Sequence, residues 1–402
     1  MDLARPQTLS LETADPPVGV RRKIEGMDPI THGLLGATAA GACLGRRLRL
    51  AAFGIGAVAG MAPDLDVLIG YGHDHLNGMI YHRNFTHAIA FVPVGAAVVA
   101  GIFLLCSRRL RPVGGWVYLA AVIGMFTHGL LDCFTTYGTL WYWPFSWHRV
   151  AWDMVAIVDP VVTLSLLVGM VWAMRRVAQR IGPAAMVGRE GQGRGFPGVA
   201  WPAWGALVFF ALYMGYGYVQ RQRAYAVQGV LAASRGQVIQ RGRVMPTLGN
   251  LVVWRSLYQA DGKLYADAVR LSWLPGEGSR VIEGSSVPVV TVKDLPQHGA
   301  QAAWLRYEFG RFAWFSDGYL ARVPGNPAII GDMRYSTVTQ GFDPLWGMYV
   351  RPWGKARPGS IASGIGVVVH LKADRAEALG ELWHDILGGE VGIPVRALGQ
   401  AE

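Results

Sequence analysis

Up to about residue 220 the apolar residues run in long blocks, and beyond it they alternate in short ones. A transmembrane helix needs about 20 mostly apolar residues, with a range of about 17–25. Six stretches reach or approach that length: about 28–45, 51–70, 87–106, 114–132, 155–173 and 199–219. The first is short and rich in Gly and Ala, and the fifth carries Asp159-Pro160 near its start. Small residues let helix backbones approach closely in lipid, and Gly36, Ala40, Gly54, Gly56 and Gly60 suit that use. After residue 220, the segments 251–257, 263–273, 303–315 and 364–371 are rich in Val, Tyr and Trp and read as strands. Segment 374–386 reads as one amphipathic helix. The pattern predicts an α-helical polytopic membrane domain over 27–220, followed by a small α+β extracytoplasmic domain over 221–402. Residues 1–26 are polar and read as a disordered, dispensable extension, with Met27 as an alternative start.

Composition agrees with a membrane protein. The mean hydropathy is +0.27, and only 16% of the residues are charged, against about 25% in typical soluble domains. The net charge of +10 does not make this a nucleic-acid binder, because much of the excess sits in short loops between apolar runs. Arg46-Arg47-Leu48-Arg49, Arg108-Arg109-Leu110-Arg111 and Arg175-Arg176 are the clear cases, and basic short loops stay in the cytoplasm. Loops 46–50, 107–113 and 174–198 are therefore placed inside, and 71–86, 133–154 and everything after 220 outside. Arg21-Arg22-Lys23 opposes this placement unless the chain starts at Met27. The three cysteines, Cys43, Cys106 and Cys133, suggest neither a disulfide framework nor a Cys zinc site.

Seven of the ten histidines precede residue 149. Asp28 and His32 are four apart at the start of the first span, and His128 and Asp132 are four apart at the end of the fourth. Residues at i and i+4 share a helix face, so each pair aims at one point. Asp64 and Asp66 close the second span, and His82 and His87 flank the entry to the third. The start of span one, end of two, start of three and end of four all fall on the outer face in the Arg-derived orientation. The eight residues are thus expected to meet in one layer. Ionisable groups at membrane depth are costly, and spans one to five hold no Lys to neutralise them. A divalent cation is the natural partner: Zn²⁺, or Mn²⁺ or Fe, for mixed imidazole and carboxylate donors. Eight candidates exceed one four-coordinate site, so two or more ions are expected. Asp28 also reads as a helix cap before Pro29, and His73, His75 and His148 as solvated or interfacial residues. Thr31, Thr86 and Thr127 each precede a histidine; each hydroxyl either supports a ligand or bonds back to its own helix.

Met27-Asp28-Pro29-Ile30-Thr31-His32-Gly33 resembles the opening of the YdjM-like family of bacterial inner-membrane proteins. Pro63-Asp64-Leu65-Asp66 is similar to its second motif. His82-Arg83-Asn84-Phe85-Thr86-His87 resembles its third, with Asn84 and Ala88 in place of Gly and Ser. His128-Gly129-Leu130-Leu131-Asp132, followed by Thr135-Thr136-Tyr137-Gly138 and Pro144-Phe145-Ser146, resembles its fourth. Asp159-Pro160, 250–255, 314–317 and Asp332-Met333-Arg334-Tyr335 extend the likeness over about 27–340. The resemblance implies a membrane-bound metal-dependent hydrolase of the bacterial inner membrane. The His-x-x-x-Asp motif adds a remote likeness to zinc phospholipases C and related nucleases.

The expected activity is hydrolysis of a phosphoester, in a lipid or other envelope substrate, at the bilayer surface. Paired metals would activate water and clamp the reacting oxygens, with Asp64 or Asp66 as general base if not a ligand. Arg83 is placed to hold a phosphate oxygen. A metal transporter or sensor using the same ligands is the alternative, and a metal that merely ties helices together is a third reading. Transport would want charged residues nearer the midplane and on both faces.

Overall fold

The computed structural model describes residues 28–68, 75–181, 200–274, 278–299, 301–351, 366, 368–371, 375–387 and 392–398. The extension 1–26, Met27, His73 and most of loop 174–198 lie outside the described residues.

Asp28 starts α1 (Pro29–Leu48) by accepting from the Ile30 and Thr31 amides, with Pro29 in the first turn, where no amide is needed. A sharp turn at Arg49 reverses the chain into α2 (Leu50–Met61), which runs on as a 3-10 segment to Leu68. A short helix, α3 (His75–Tyr81), lies in what the sequence reads as a plain loop. Then follow α4 (Val92–Cys106), α5 (Gly114–Phe134), α6 (Pro160–Ile181) and α7 (Trp201–Ser234). The fifth apolar stretch becomes helical only at Pro160, capped by Asp159. The sixth continues well past 219.

Among the described residues, four helical segments are long and apolar enough to cross a membrane: Leu50–Leu68, Ile89–Cys106, Arg108–Phe134 and Pro160–Gln179. Val94, Val98, Ile102 and Leu105 form an exposed stripe on α4, an arrangement costly in water and natural against lipid tails. Helix α1 is less apolar because it is buried along nearly its whole length, against α2, α5, α6 and α7, and needs no lipid-facing surface. The contact with α2 is backbone to backbone. A Cβ on Gly36 would stand 2.3 Å from the Gly56 carbonyl oxygen, and one on Gly56 2.3 Å from that of Gly36. Gly60 and Ala40 join this seam, whereas Gly54 has open space beside it and takes no part, contrary to the sequence reading. The seam brings the start of α1 against the end of α2, which places His32 beside Asp64.

Strands β1 (Arg241–Pro246), β2 (Val253–Ala260), β3 (Lys263–Arg270), β4 (Arg280–Ile282) and β5 (Ser286–Pro288) follow α7. The β2–β3 hairpin turns on Asp261-Gly262, both with positive φ, as a two-residue turn that matches strand twist requires. Helix α8 (Ala302–Phe315) precedes β6 (Leu320–Val323), β7 (Asn326–Asp332), β8 (Trp346–Tyr349) and β9 (Val368–His370). Helix α9 (Arg375–Leu387), strand β10 (Ile393–Pro394) and helix α10 (Val395–Leu398) are the last elements among the described residues. One antiparallel sheet runs β1-β2-β3-β4-β10, with β5 also on β3, and a second runs β6-β7-β8-β9.

The segment 303–315, read from its aromatics as a strand, is helix α8. Ala302, Leu305, Phe309, Phe312 and Phe315 are buried at spacings of three and four, a helical period that aromatic β-propensity masked. The two halves interlock. The second half of α7 packs Ala224, Val227 and Leu231 against Val244, Trp254 and Val269 of the first sheet. Leu76 of α3 is buried with Leu305, Phe309 and Phe312 of α8. Arg243 of β1 grips Asp153 through Nε (3.1 Å) and Nη2 (2.5 Å).

Candidate metal centre

The ends of α2 and α5 and the starts of α1 and α4 converge on the side where the sheet-containing half sits. His32 projects from the first turn of α1, with Nε2 3.3 Å from Oδ1 of Asp132 on α5. His128, one turn before Asp132, donates from Nδ1 to the Gly60 carbonyl at 2.6 Å. That bond leaves the other nitrogen, Nε2, bare and aimed inward, an orientation assigned from the network. Nε2 of His128 lies 3.5 Å from Asp132 Oδ2 and 3.6 Å from Asp64 Oδ1. Nε2 of His87 lies 3.5 Å from that Asp132 oxygen and 3.4 Å from that Asp64 oxygen.

These separations fit ligands better than hydrogen bonds. Ligand atoms about 2.0–2.2 Å from one ion at tetrahedral corners lie about 3.3–3.6 Å from each other. Two overlapping groups, His32–Asp64–His128 and His87–His128–Asp132, have donor atoms within 4.8 Å of one another. Several of their atoms are buried with no hydrogen-bond partner: Asp64 Oδ2, His128 Nε2, His32 Nδ1 and both carboxylate oxygens of Asp132. Buried polar groups are almost always satisfied, so this donor set fits a divalent cation.

Asp66 and His82 form a surrounding layer. Asp66 Oδ1 accepts from His82 Nδ1 at 2.7 Å, and Oδ2 accepts from the Arg83 amide (3.2 Å) and the Thr86 hydroxyl (3.0 Å). The Thr86 oxygen also lies 2.9 Å from His87 Nδ1, so Asp66 orients both histidines. His82 Nε2 is left buried and unpartnered. Asp64 and His82 keep 15% and 13% of their side chains exposed, while the other donors keep 4% or less. The cluster therefore opens on the Asp64–His82 side.

Asp28 stands apart from the seven: its carboxylate caps α1 and bonds the hydroxyls of Thr31 and Thr163, beside a small cavity shared with Asp159. Arg83 is fully buried and serves as counter-ion to Asp132 (Nη2 to Oδ1, 3.4 Å), while Nη1 donates to Thr135 and to the Gly138 carbonyl. Of the three threonines, Thr86 links Asp66 to His87, Thr31 bonds Asp28, and Thr127 bonds back to Gly124. The Gly60 carbonyl carries no sequence signal, since it is backbone. Arg149 and Arg243 give none either, since their partners are remote in the chain.

Residues 27–224 match the model of a family described as YdjM inner membrane protein. Among curated proteins, the inner membrane protein YbcI of Escherichia coli K12 is 32% identical over a match covering 25% of this chain and 60% of that protein. The uncharacterized protein YfhP of Bacillus subtilis 168 is 28% identical, over 26% of this chain and 32% of its own length. The chain thus spans less than two thirds of either relative. No solved structure matches the chain, and nothing among these comparisons supports the likeness to zinc phospholipases C and nucleases.

Proposed function

From the match of residues 27–224 to the YdjM inner membrane protein family, we propose that the chain is a membrane-bound metal-dependent hydrolase of phosphoester bonds. The observation that carries this reading is the set of 3.3–3.6 Å spacings among imidazole nitrogens and carboxylate oxygens, joined to a partly open side. A structural metal site is closed, whereas a catalytic one keeps an open position.

His32, Asp64, His87, His128 and Asp132 would hold the ion. Both groups share His128, and its one free nitrogen binds one ion, so the two describe a single centre; a second ion would need His82 and Asp64 on the open side. When bound, a divalent cation supplies Lewis acidity and lowers the pKa of an adjacent water. Both oxygens of Asp66 are taken up by His82, Thr86 and the Arg83 amide. The proton acceptor is therefore His82 Nε2, held in its tautomer by the Asp66 carboxylate. As the water oxygen bonds to phosphorus, its proton passes to His82 Nε2. The ester P–O bond breaks, and the imidazolium returns the proton to the leaving oxygen. Transport finds less support: inward from the cluster, α1, α2, α4 and α5 meet through Leu44, Leu48, Ile55, Val99 and Val117, an apolar core among the described residues.

The purified full chain is expected to hydrolyse a chromogenic phosphodiester or release a phospholipid head group, to stop on chelation, and to recover with one added divalent metal. Turnover unaffected by chelator would sink the reading. The sheet-containing half, with the cluster beneath it, is assigned to the extracytoplasmic side from the Arg loops. Alkaline phosphatase fused to the C-terminus should then be active in cells, and an inactive fusion would invert the topology.

A further inference from the structure

We propose that Arg149 and Arg83 form a phosphoryl-binding subsite beside the metal centre, which deepens the hydrolase reading and rests on it. Both guanidinium groups donate from Nη1 to one acceptor, the Gly138 carbonyl, at 3.2 and 3.1 Å. Both lie over the Tyr137 ring, with Cζ 5.1 and 4.6 Å from its centroid, and Arg149 also lies 5.4 Å from that of Phe315. In each, Nε and Nη2 are buried without a hydrogen-bond partner. Those two nitrogens make the side-on fork of a guanidinium, the edge that takes two oxygens of a carboxylate or phosphate in parallel.

The other arginines of this region show the contrast. Arg243 uses its fork on Asp153, and Arg334 uses its own on Asp332. Arg83 has Asp132 at 3.4 Å from Nη2, but that carboxylate also faces the three imidazoles of the metal centre. Arg149 has no carboxylate partner among the described residues. Burial pushes its guanidinium down to about 10, with Arg83 and Arg334 adding to the shift, and it stays charged at neutral pH. Two neighbouring cations thus share one acid that a metal also claims, and an uncompensated buried charge is costly. An anion is the missing partner.

Its class follows from oxygen count. A carboxylate has two oxygens, and one fork consumes both. A group that fills the Arg149 fork and also reaches Asp132 and the metal centre through Arg83 needs a third, which a phosphoryl group has. The backbone from Asp132 through Thr135 and Tyr137 to Gly138 links the two sites directly.

The test uses melting of the purified full chain with millimolar inorganic phosphate, against chloride at matched ionic strength. Phosphate is expected to raise the wild-type melting temperature by several degrees, in metal-loaded and in chelated protein alike. Arg149→Gln should lose most of that shift while keeping its metal content and melting no lower without phosphate, since it removes an unpaired charge. Arg149→Lys keeps the charge without the fork and should give an intermediate shift. A short-chain phosphatidic acid that outperforms inorganic phosphate would assign the subsite to a lipid head group, and equal potency would assign it to free phosphate. A wild type that phosphate does not stabilise, or an Arg149→Gln protein with the full shift, overturns the subsite. No turnover enters this measurement, so a protein that binds phosphate through Arg149 yet hydrolyses nothing would sink the hydrolase reading and leave the subsite standing.

Discussion

His128→Ala in the purified full chain is expected to reduce bound divalent metal to background. His128 belongs to both donor groups, and its Nε2 lies within 3.6 Å of Asp64 and 3.5 Å of Asp132. Losing a supporting residue typically costs 10- to 100-fold in metal affinity, roughly; losing a ligand shared by both groups costs more. Asp132→Ala should act similarly and also strip Arg83 of its counter-ion. The wild type should gain stability from metal, about 2.7 kcal/mol at a hundredfold excess over Kd, and the variants should gain none. His148→Ala is the control, because His148 is exposed and outside the cluster. Elemental analysis beside thermal melts makes the measurement. A full metal complement in His128→Ala would reduce the cluster to a hydrogen-bonded polar layer.

The second large effect is expected where the two halves meet. Arg243 bonds both oxygens of Asp153 and the Thr136 carbonyl, and the two side chains keep only 12% and 2% exposure. Arg243→Ala leaves the Asp153 carboxylate buried and alone. Breaking a buried pair on one side costs about 3–5 kcal/mol, whereas replacing both members is often near neutral. Arg243→Ala should therefore melt far lower and become protease-sensitive around 133–154, and Arg243→Met with Asp153→Asn should recover most of the loss. A single variant that loses under about 1 kcal/mol, the scale of an exposed pair, would mean that this ion pair does not hold the halves together.

The convergence of these side chains is legible where its signals are local. His128 with Asp132 declares a shared helix face by spacing, and the order of apolar stretches puts the helix ends on one side, whereas of the equally spaced Asp28 and His32 only His32 joins the group. The distinction between ligand and cap at Asp28 was not legible, since an Asp before Pro serves both purposes and only the neighbouring Thr163, far along the chain, decides. Nor does the sequence show that a left-handed backbone at Arg83 turns its amide to Asp66 and sets its guanidinium beside Asp132. In the C-terminal half the β2–β3 hairpin falls on two of the segments read as strands, although β2 begins at Val253, later than read, and is buried at nearly every position rather than at alternate ones. Helix α8 was missed because its aromatics weigh toward strand one residue at a time, while burial follows the helical period. Helix α3 is too short for periodicity to register, and what stabilises it is α8, more than two hundred residues downstream.

That last contact bears on how the protein is made. Leu76, Met79 and Ile80 of α3 complete the apolar core built by Leu305, Phe309, Phe312 and Trp346. They are synthesised before α4, α5, α6 and α7, and their covering arrives after all four. During synthesis the apolar side of α3 waits uncovered, immediately ahead of the His82–His87 segment. Helix α3 can reach its final packing only once the C-terminal half has been delivered to the same side. A ribosome halted before α8 would leave every metal-ligand candidate made but α3 uncovered, and grafting the C-terminal half onto another anchor would leave a gap in its core where α3 belongs.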